Sequence, residues 1–87
     1  MNLTDQLNHV SPVAVTRAGV AVVDTLTDFP KATQIQVLAM LNILVCEEFG
    51  RDVRSEMERA NRVAKDGDGV FKPEVRALRA YINGELK

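Results

Sequence analysis

The stretch "IQVLAMLNILVCEEFGRDV", residues 35–53, decides the fold, because it begins with the most apolar segment of the chain. Between Val37 and Cys46 the only polar residue is Asn42. A run of this kind is typical of a helix that is surrounded by other apolar surfaces. The stretch therefore predicts a central helix with apolar side chains on nearly all sides.

The apolar pattern continues past Gly50, a residue type that ordinarily ends a helix. A glycine inside a helix costs only about 1 kcal/mol, and Glu47 would pair with Arg51 across it. We therefore expect one long helix over about 31–65, continuous or kinked at Gly50, with a turn at Gly50 as the alternative. The stripe that supports it recurs at spacings of three and four residues: Leu38, Leu41, Val45, Phe49, Val53, Met57, Ala60 and Ala64.

The segment before this helix allows two interpretations. Ser11 and Pro12 form a typical helix start, with serine as the cap and proline at the first helical position. The following "VAVTRAGVAVVDTL", residues 13–26, is rich in β-branched residues and also fits a β-hairpin. Helix is favoured, because an isolated hairpin is marginally stable and no other strand pair is available downstream.

The two ends of the chain are expected to be helical as well. Residues 1–10 fit a short amphipathic helix or a mobile arm, and a last helix is predicted over about 73–86. Eighty-seven residues form a single domain, residues 1–87. We predict an all-α fold, a small helical bundle of three to four helices.

Charge divides the chain into two halves, although the net charge is only −1. Residues 1–50 hold two basic and five acidic side chains, whereas residues 51–87 hold nine and seven. The net charge of the whole chain is close to zero and gives no general attraction to nucleic acid or membrane. One cysteine excludes an internal disulfide, and no uninterrupted apolar run is long enough to span a bilayer. A cytoplasmic location without membrane association is expected.

The segment "AKDGDGVFKPEV", residues 64–75, resembles the calcium loop of an EF-hand. Aligned on the invariant glycine, Asp66 and Asp68 occupy two of the ligand positions. Ala64 stands at the first position and Val75 at the last, where calcium needs carboxylates. Asp66 and Asp68 are therefore weak metal candidates, and a turn between two helices explains the glycines and aspartates.

No group of residues predicts catalysis or a cofactor. One histidine and one cysteine cannot complete a tetrahedral zinc site, and neither phosphate-loop nor nucleophile-elbow motifs occur. Cys46 lies in the most apolar stretch and is interpreted as a core thiol. We expect no enzyme activity, no catalytic residue and no cofactor.

Basic side chains follow one another on the two C-terminal helices and are the candidate contacts to a protein partner or nucleic acid: Arg51, Arg54, Arg62, Lys65, Lys72, Arg76 and Arg79. Interleaved acids allow a different interpretation, in which Arg54, Glu58 and Arg62 form a solvated ladder of ion pairs. A turn at Gly50 would instead create a helix-turn-helix for DNA, with Arg51, Arg54 and Ser55 near the start of the recognition helix.

Two segments, the helix that starts at Pro12 and residues 35–46, are too apolar for the outside of a small monomer, which predicts a homo-oligomer, a dimer or larger. Asn42 would set the register of that interface or face solvent. We expect a non-enzymatic interaction protein, a regulator, adaptor or inhibitor that binds a protein partner through residues 51–83. A DNA-binding regulator is the alternative, and a calcium-responsive helix pair is a weaker one. The predicted oligomer interface consists of Leu38, Leu41, Asn42, Val45 and Phe49.

Overall fold

A computed structural model describes residues 2–66 and 71–86, and in these ranges helices are joined by short turns without any strand. The five helices are α1 (Leu3–Asn8), α2 (Pro12–Leu26), α3 (Lys31–Glu48), α4 (Val53–Asp66) and α5 (Lys72–Glu85). The all-α prediction is confirmed. More helices are described than the three or four expected, because the predicted long helix is two helices and residues 3–8 form another.

Helix α2 settles the choice between helix and hairpin for residues 12–26. Pro12 occupies the first helical position, and Ser11 Oγ accepts a hydrogen bond from the Ala14 amide at 3.3 Å. The hydroxyls of Thr16 and Thr25 donate to carbonyls four residues earlier, at 2.9 and 3.1 Å. Their polar groups are thus satisfied within the helix, and the β-branched residues do not prevent it from forming.

The single helix predicted over 31–65 is wrong, because the chain turns at Gly50. Gly50 has φ of 65°, in the left-handed region that favours glycine. Its amide donates to Glu47 O at 3.2 Å, and the Arg51 amide donates to Cys46 O at 2.8 Å. This pair of bonds is the Schellman motif, which satisfies the last carbonyls of α3 and ends the helix.

Helix α4 has its own start signal immediately after this turn. The carboxylate of Asp52 accepts hydrogen bonds from Ser55 N at 3.1 Å and from Ser55 Oγ at 2.8 Å. Arg51 does not pair with Glu47 as expected, since its guanidinium lies 2.6 Å from Glu56 Oε1. A C-terminal motif and an N-terminal cap therefore follow each other over a few residues and separate α3 from α4.

The most extensive packing joins α2 to α5. Gly19 permits their close approach, since a Cβ at that position would lie 3.0 Å from Leu78 Cδ2. The Tyr81 hydroxyl on α5 donates a hydrogen bond to the Asp24 carboxylate on α2. Val23 and Leu26 of α2 are buried. The core of the chain is therefore centred on α2 and not on α3, which contains the longest apolar run.

Helix α4 packs against both α5 and α3. Arg79 of α5 donates to the Ala64 carbonyl near the end of α4 at 2.6 Å. At the other contact, Asn42 Nδ2 of α3 lies 2.8 Å from the Met57 sulfur of α4. Helix α3 is held mainly through its C-terminal half and lies at the edge of the bundle.

Residues 3–8, considered as a short helix or an arm, are helical and hydrogen-bonded to the second half of the chain. Arg51 Nη1 donates to Thr4 Oγ1 at 3.0 Å, and Arg59 Nη1 donates to Asn8 Oδ1 at 3.4 Å. Two of the nine basic side chains after residue 50 therefore hold the N-terminal helix to the bundle.

Replacing Gly50 with alanine should lower the free energy of unfolding by about 1–2 kcal/mol, because L-residues are strained at positive φ. No heavy atom lies within 4 Å of the added Cβ, so packing would not change. Gly84→Ala is the matched control, since Gly84 is helical and equally open. That change should stabilise by about 0.5–1 kcal/mol. Urea denaturation followed by circular dichroism measures both, and stabilisation by both substitutions would contradict a turn at Gly50.

Tyr81 is the only tyrosine in a chain without tryptophan, so its ionisation can be followed directly by ultraviolet absorbance. The hydrogen bond to the Asp24 carboxylate raises the pKa of Tyr81 to about 12. An unfolded tyrosine ionises near pH 10, so stability should fall as pH rises from about 10 to about 12. Asp24→Ala should return the phenol midpoint toward 10, whereas equal midpoints in both proteins would contradict the contact.

Candidate functional site

Helix α3 lies at the surface although it contains the most apolar stretch of the chain, residues 37–46. Only three described residues are buried, Val23, Leu26 and Cys46, and only the last of these belongs to α3. Ile35 is 72% exposed and Phe49, just after the helix, is 63% exposed. Six further apolar side chains of α3 are exposed to about half of their surface: Leu38, Met40, Leu41, Ile43, Leu44 and Val45.

The total surface is also too large for a compact monomer. The chain exposes 6676 Å², whereas a folded monomer of 9.6 kDa exposes about 5,100 Å². Its radius of gyration is 13.6 Å, against about 12 Å for a compact domain of this length. The excess of about 1,600 Å² falls in the range that one subunit of an obligate dimer buries.

The exposed side chains of α3 form two different surfaces. Successive helical residues point about 100° apart, which places Leu38, Leu41 and Val45 on one side, continued by Phe49. Leu38, Leu41, Val45 and Phe49, four of the five predicted interface residues, thus form an exposed apolar stripe. Met40, Ile43 and Leu44 lie on the opposite side and are followed there by Glu47. Charged residues also flank the stripe, since Glu48 lies beside it at one end and Lys31 lies in line with it at the other.

Asn42 was included in the predicted interface, and its amide is bonded within the chain. The side chain is half-buried. Its Nδ2 lies 2.8 Å from the Met57 sulfur, and its Oδ1 accepts from Cys46 Sγ at 3.8 Å. These contacts orient the amide toward α4. A register-setting role between subunits stays a prediction.

A groove of about 490 Å³ runs between α2 and α3 and continues the stripe. Gln34 fixes the corner where the two helices meet, because its Nε2 donates to Leu26 O at 2.7 Å and to Phe29 O at 2.8 Å. The lining contains no charged side chain: Ala21, Val22, Thr25, Leu26, Phe29, Thr33, Val37, Leu38 and Leu41. The predicted interface includes Leu38 and Leu41 of the α3 wall and no residue of the α2 wall. The available signal for α2 was its apolar character on nearly all sides, which predicted excess apolar surface without assigning it to the interface.

Five of the seven predicted contact cations have exposed side chains that make no hydrogen bond or ion pair with a described residue, although the charge of Arg54 helps to lower the pKa of the Asp52 carboxylate. Arg51 and Arg79 differ, since the first binds Glu56 and Thr4 and the second binds the Ala64 carbonyl. Within the described ranges, the expected ladder through Glu58 is absent. The five free cations are Arg54, Arg62, Lys65, Lys72 and Arg76.

Arg54, Arg62 and Lys65 share the outer face of α4, because their positions lie within about 80° of one another around the helix. Lys65 follows Ala64, whose carbonyl accepts from Arg79. The row on α4 therefore meets the row on α5 at this end. Arg62 also borders a cleft of about 450 Å³ between α1 and α4, where Arg59 is the second cation.

No metal or nucleophilic site is formed by the residues that the structure describes. Within residues 2–66 and 71–86, no three His, Cys, Asp or Glu side chains are grouped to hold a metal ion. Cys46 is buried, as expected for a core thiol. The weak calcium candidates, Asp68 and the Asp66 side chain, lie outside the described residues.

Comparison with protein-family models, with curated proteins and with solved structures finds no match to this chain. Among the helices that the structure describes, none combines the length and apolar character needed to cross a bilayer.

Removing the Asp52 side chain, which caps α4, should destabilise the turn between α3 and α4. Hydrogen bonds from Ser55 lower the pKa of the Asp52 carboxylate, so its stabilising effect is present above about pH 4 and is lost as pH falls through the folded-state value. Asp52→Ala should lower the melting temperature by several degrees at neutral pH, the usual effect of a lost cap. The difference from wild type should shrink as the pH falls below about 4 and the folded-state carboxylate is protonated, and a constant difference across the titration would contradict the capping role.

Proposed function

We propose that this protein is a non-enzymatic helical interaction protein, a small regulator, adaptor or inhibitor that self-associates and binds a protein partner. One observation carries the proposal: the helix that contains the most apolar stretch of the chain lies at its surface, with six of its large apolar side chains about half exposed. Contiguous apolar surface of this extent is a feature of interaction sites. No arrangement of described side chains supports chemistry as strongly.

The proposal assigns self-association and partner binding to two different surfaces. The apolar stripe of α3 serves self-association, because burying exposed apolar surface stabilises the associated form. The charged C-terminal half, residues 51–83, faces the partner. Its free cations are not used to hold the fold together, and exposed charges of this kind act mainly on association rate and specificity. The partner is therefore expected to present acidic side chains opposite Arg54, Arg62 and Lys65.

Charge reversal on the outer face of α4 tests the partner surface. A tagged triple variant, Arg54→Glu, Arg62→Glu and Lys65→Glu, should lose a protein that the wild type captures from lysate of the source cells, with or without nuclease. Reversal of Arg17 and Lys31 to Glu is the matched control, because both are exposed basic residues outside this half. Equal capture by the triple variant and the wild type would contradict the assignment.

The turn at Gly50 favours one other function, a DNA-binding regulator. A tight glycine turn between α3 and α4 is the connection that a helix-turn-helix requires. Of the three residues predicted near the start of the recognition helix, Arg51 binds Glu56 and Ser55 binds Asp52, which leaves Arg54 for a base or phosphate. The pI of about 5.7 is also low for a DNA-binding domain.

Fluorescence anisotropy with a labelled DNA duplex distinguishes the two functions. Under the interaction-protein proposal, anisotropy should stay flat up to micromolar protein at low salt. A rise that weakens steeply with added salt and disappears in Arg54→Glu would instead establish phosphate contacts from α4. Capture from lysate that collapses with nuclease would likewise support the DNA-binding function.

A further inference from the structure

We propose that the groove between α2 and α3 receives α3 of a second copy, so that two chains form an isologous dimer with its two-fold axis near Leu41. The inference rests on the self-association in the proposed function. It adds the surface that performs it and identifies the occupant as a second copy of this chain.

The apolar lining of the groove determines which kind of helix can bind in it. Apart from two threonine hydroxyls the lining is apolar, so a charged helix placed there would lose its hydration without compensation. Helices α4 and α5 carry most of the charges of the chain, and α2 forms one wall of the groove. The stripe of α3 has no charge, which makes it the matching surface among the described helices.

Symmetry gives a second reason, which concerns Leu38 and Leu41. Both residues line the groove and both belong to the stripe. In an isologous interface the same patch serves both subunits. When these leucines enter the groove of the second copy, its own leucines enter this groove by the same rotation. The contact closes on itself and gives a dimer instead of a filament.

The length of α3 and the positions of Phe49 and Phe29 fit an antiparallel crossing of the two α3 helices. Helix α3 has 18 residues and is about 27 Å long. With the axis near Leu41, Phe49 of one copy lies opposite Thr33 of the other, at the end of the groove that Phe29 closes. Phe49 and Phe29 are 63% and 49% exposed in the single chain. The crossing would cover both aromatic rings.

Disulfide trapping tests the axis directly. Cys46 is the only cysteine, so a Cys46→Ala background provides a thiol-free chain whose helicity is checked by circular dichroism. In that background Leu41→Cys should form a cross-linked dimer on mild oxidation, because a residue at a two-fold axis lies beside its own copy. Met40→Cys, on the opposite side of the same helix, is the matched control and should stay largely monomeric on a non-reducing gel.

Sedimentation equilibrium of wild type, Leu41→Lys and Met40→Lys supplies the second readout. Both positions are about half exposed, 51% and 50%, so lysine should be tolerated by the single chain at either place. Wild type and Met40→Lys should have twice the chain mass, and Leu41→Lys should have the mass of one chain.

The outcomes separate the two proposals. A wild-type dimer that cross-links through Met40→Cys and not through Leu41→Cys would overturn the groove and leave self-association standing. A wild type with the mass of one chain at high concentration would overturn both.

Discussion

Gly50 adopts a left-handed conformation with φ of 65°, and the two surfaces of the molecule depend on this turn. The turn ends α3 at Glu48 and lets α4 begin at Val53 with its own cap. Helix α4 is thereby redirected toward α5. If the helix had continued, the apolar stripe of α3 and the basic row of α4 would have belonged to one rod.

In this arrangement α3 is held in the bundle by few contacts. Helices α2, α4 and α5 share the packing that the chain provides, and α3 is held by Gln34 at one end and by Asn42 and Cys46 near the other. With three buried side chains among the described residues, the fold has little core. Domains of this size often gain their stability from association. Binding and folding are therefore linked in the proposed dimer, since the surface that joins two chains also supplies the missing core.

Much of the fold could be predicted from local patterns. Ser11 and Pro12 mark the start of α2, the spacing of Leu38, Leu41 and Val45 identifies one side of α3, and the start predicted for α5 differs by one residue from the observed Lys72. The break at Gly50 could not be predicted in this way. Leucine and valine spacings stay in phase across the turn, so periodicity does not distinguish a continuous helix from two helices.

Local bonds decide that question, and they involve polar groups that periodicity ignores. The amides of Gly50 and Arg51, the Asp52 carboxylate and the ion pair to Glu56 together favour the turn. For a similar reason, only part of the candidate site could be predicted from the sequence. The α3 side of the groove follows from apolar spacing, whereas the α2 side depends on how two helices meet at the Gln34 corner. Tertiary contacts of that kind cannot be predicted from the spacing of apolar residues.

The melting temperature of the wild-type chain, measured over a range of protein concentrations, is the most direct measurement of whether α3 is covered by a second copy. If dimerisation completes the core, the melting temperature should rise by several degrees between about 1 and about 100 µM, because mass action stabilises the associated form. A melting temperature independent of concentration, together with the mass of a single chain, would show that the exposed α3 needs no second copy and would contradict the proposed dimer.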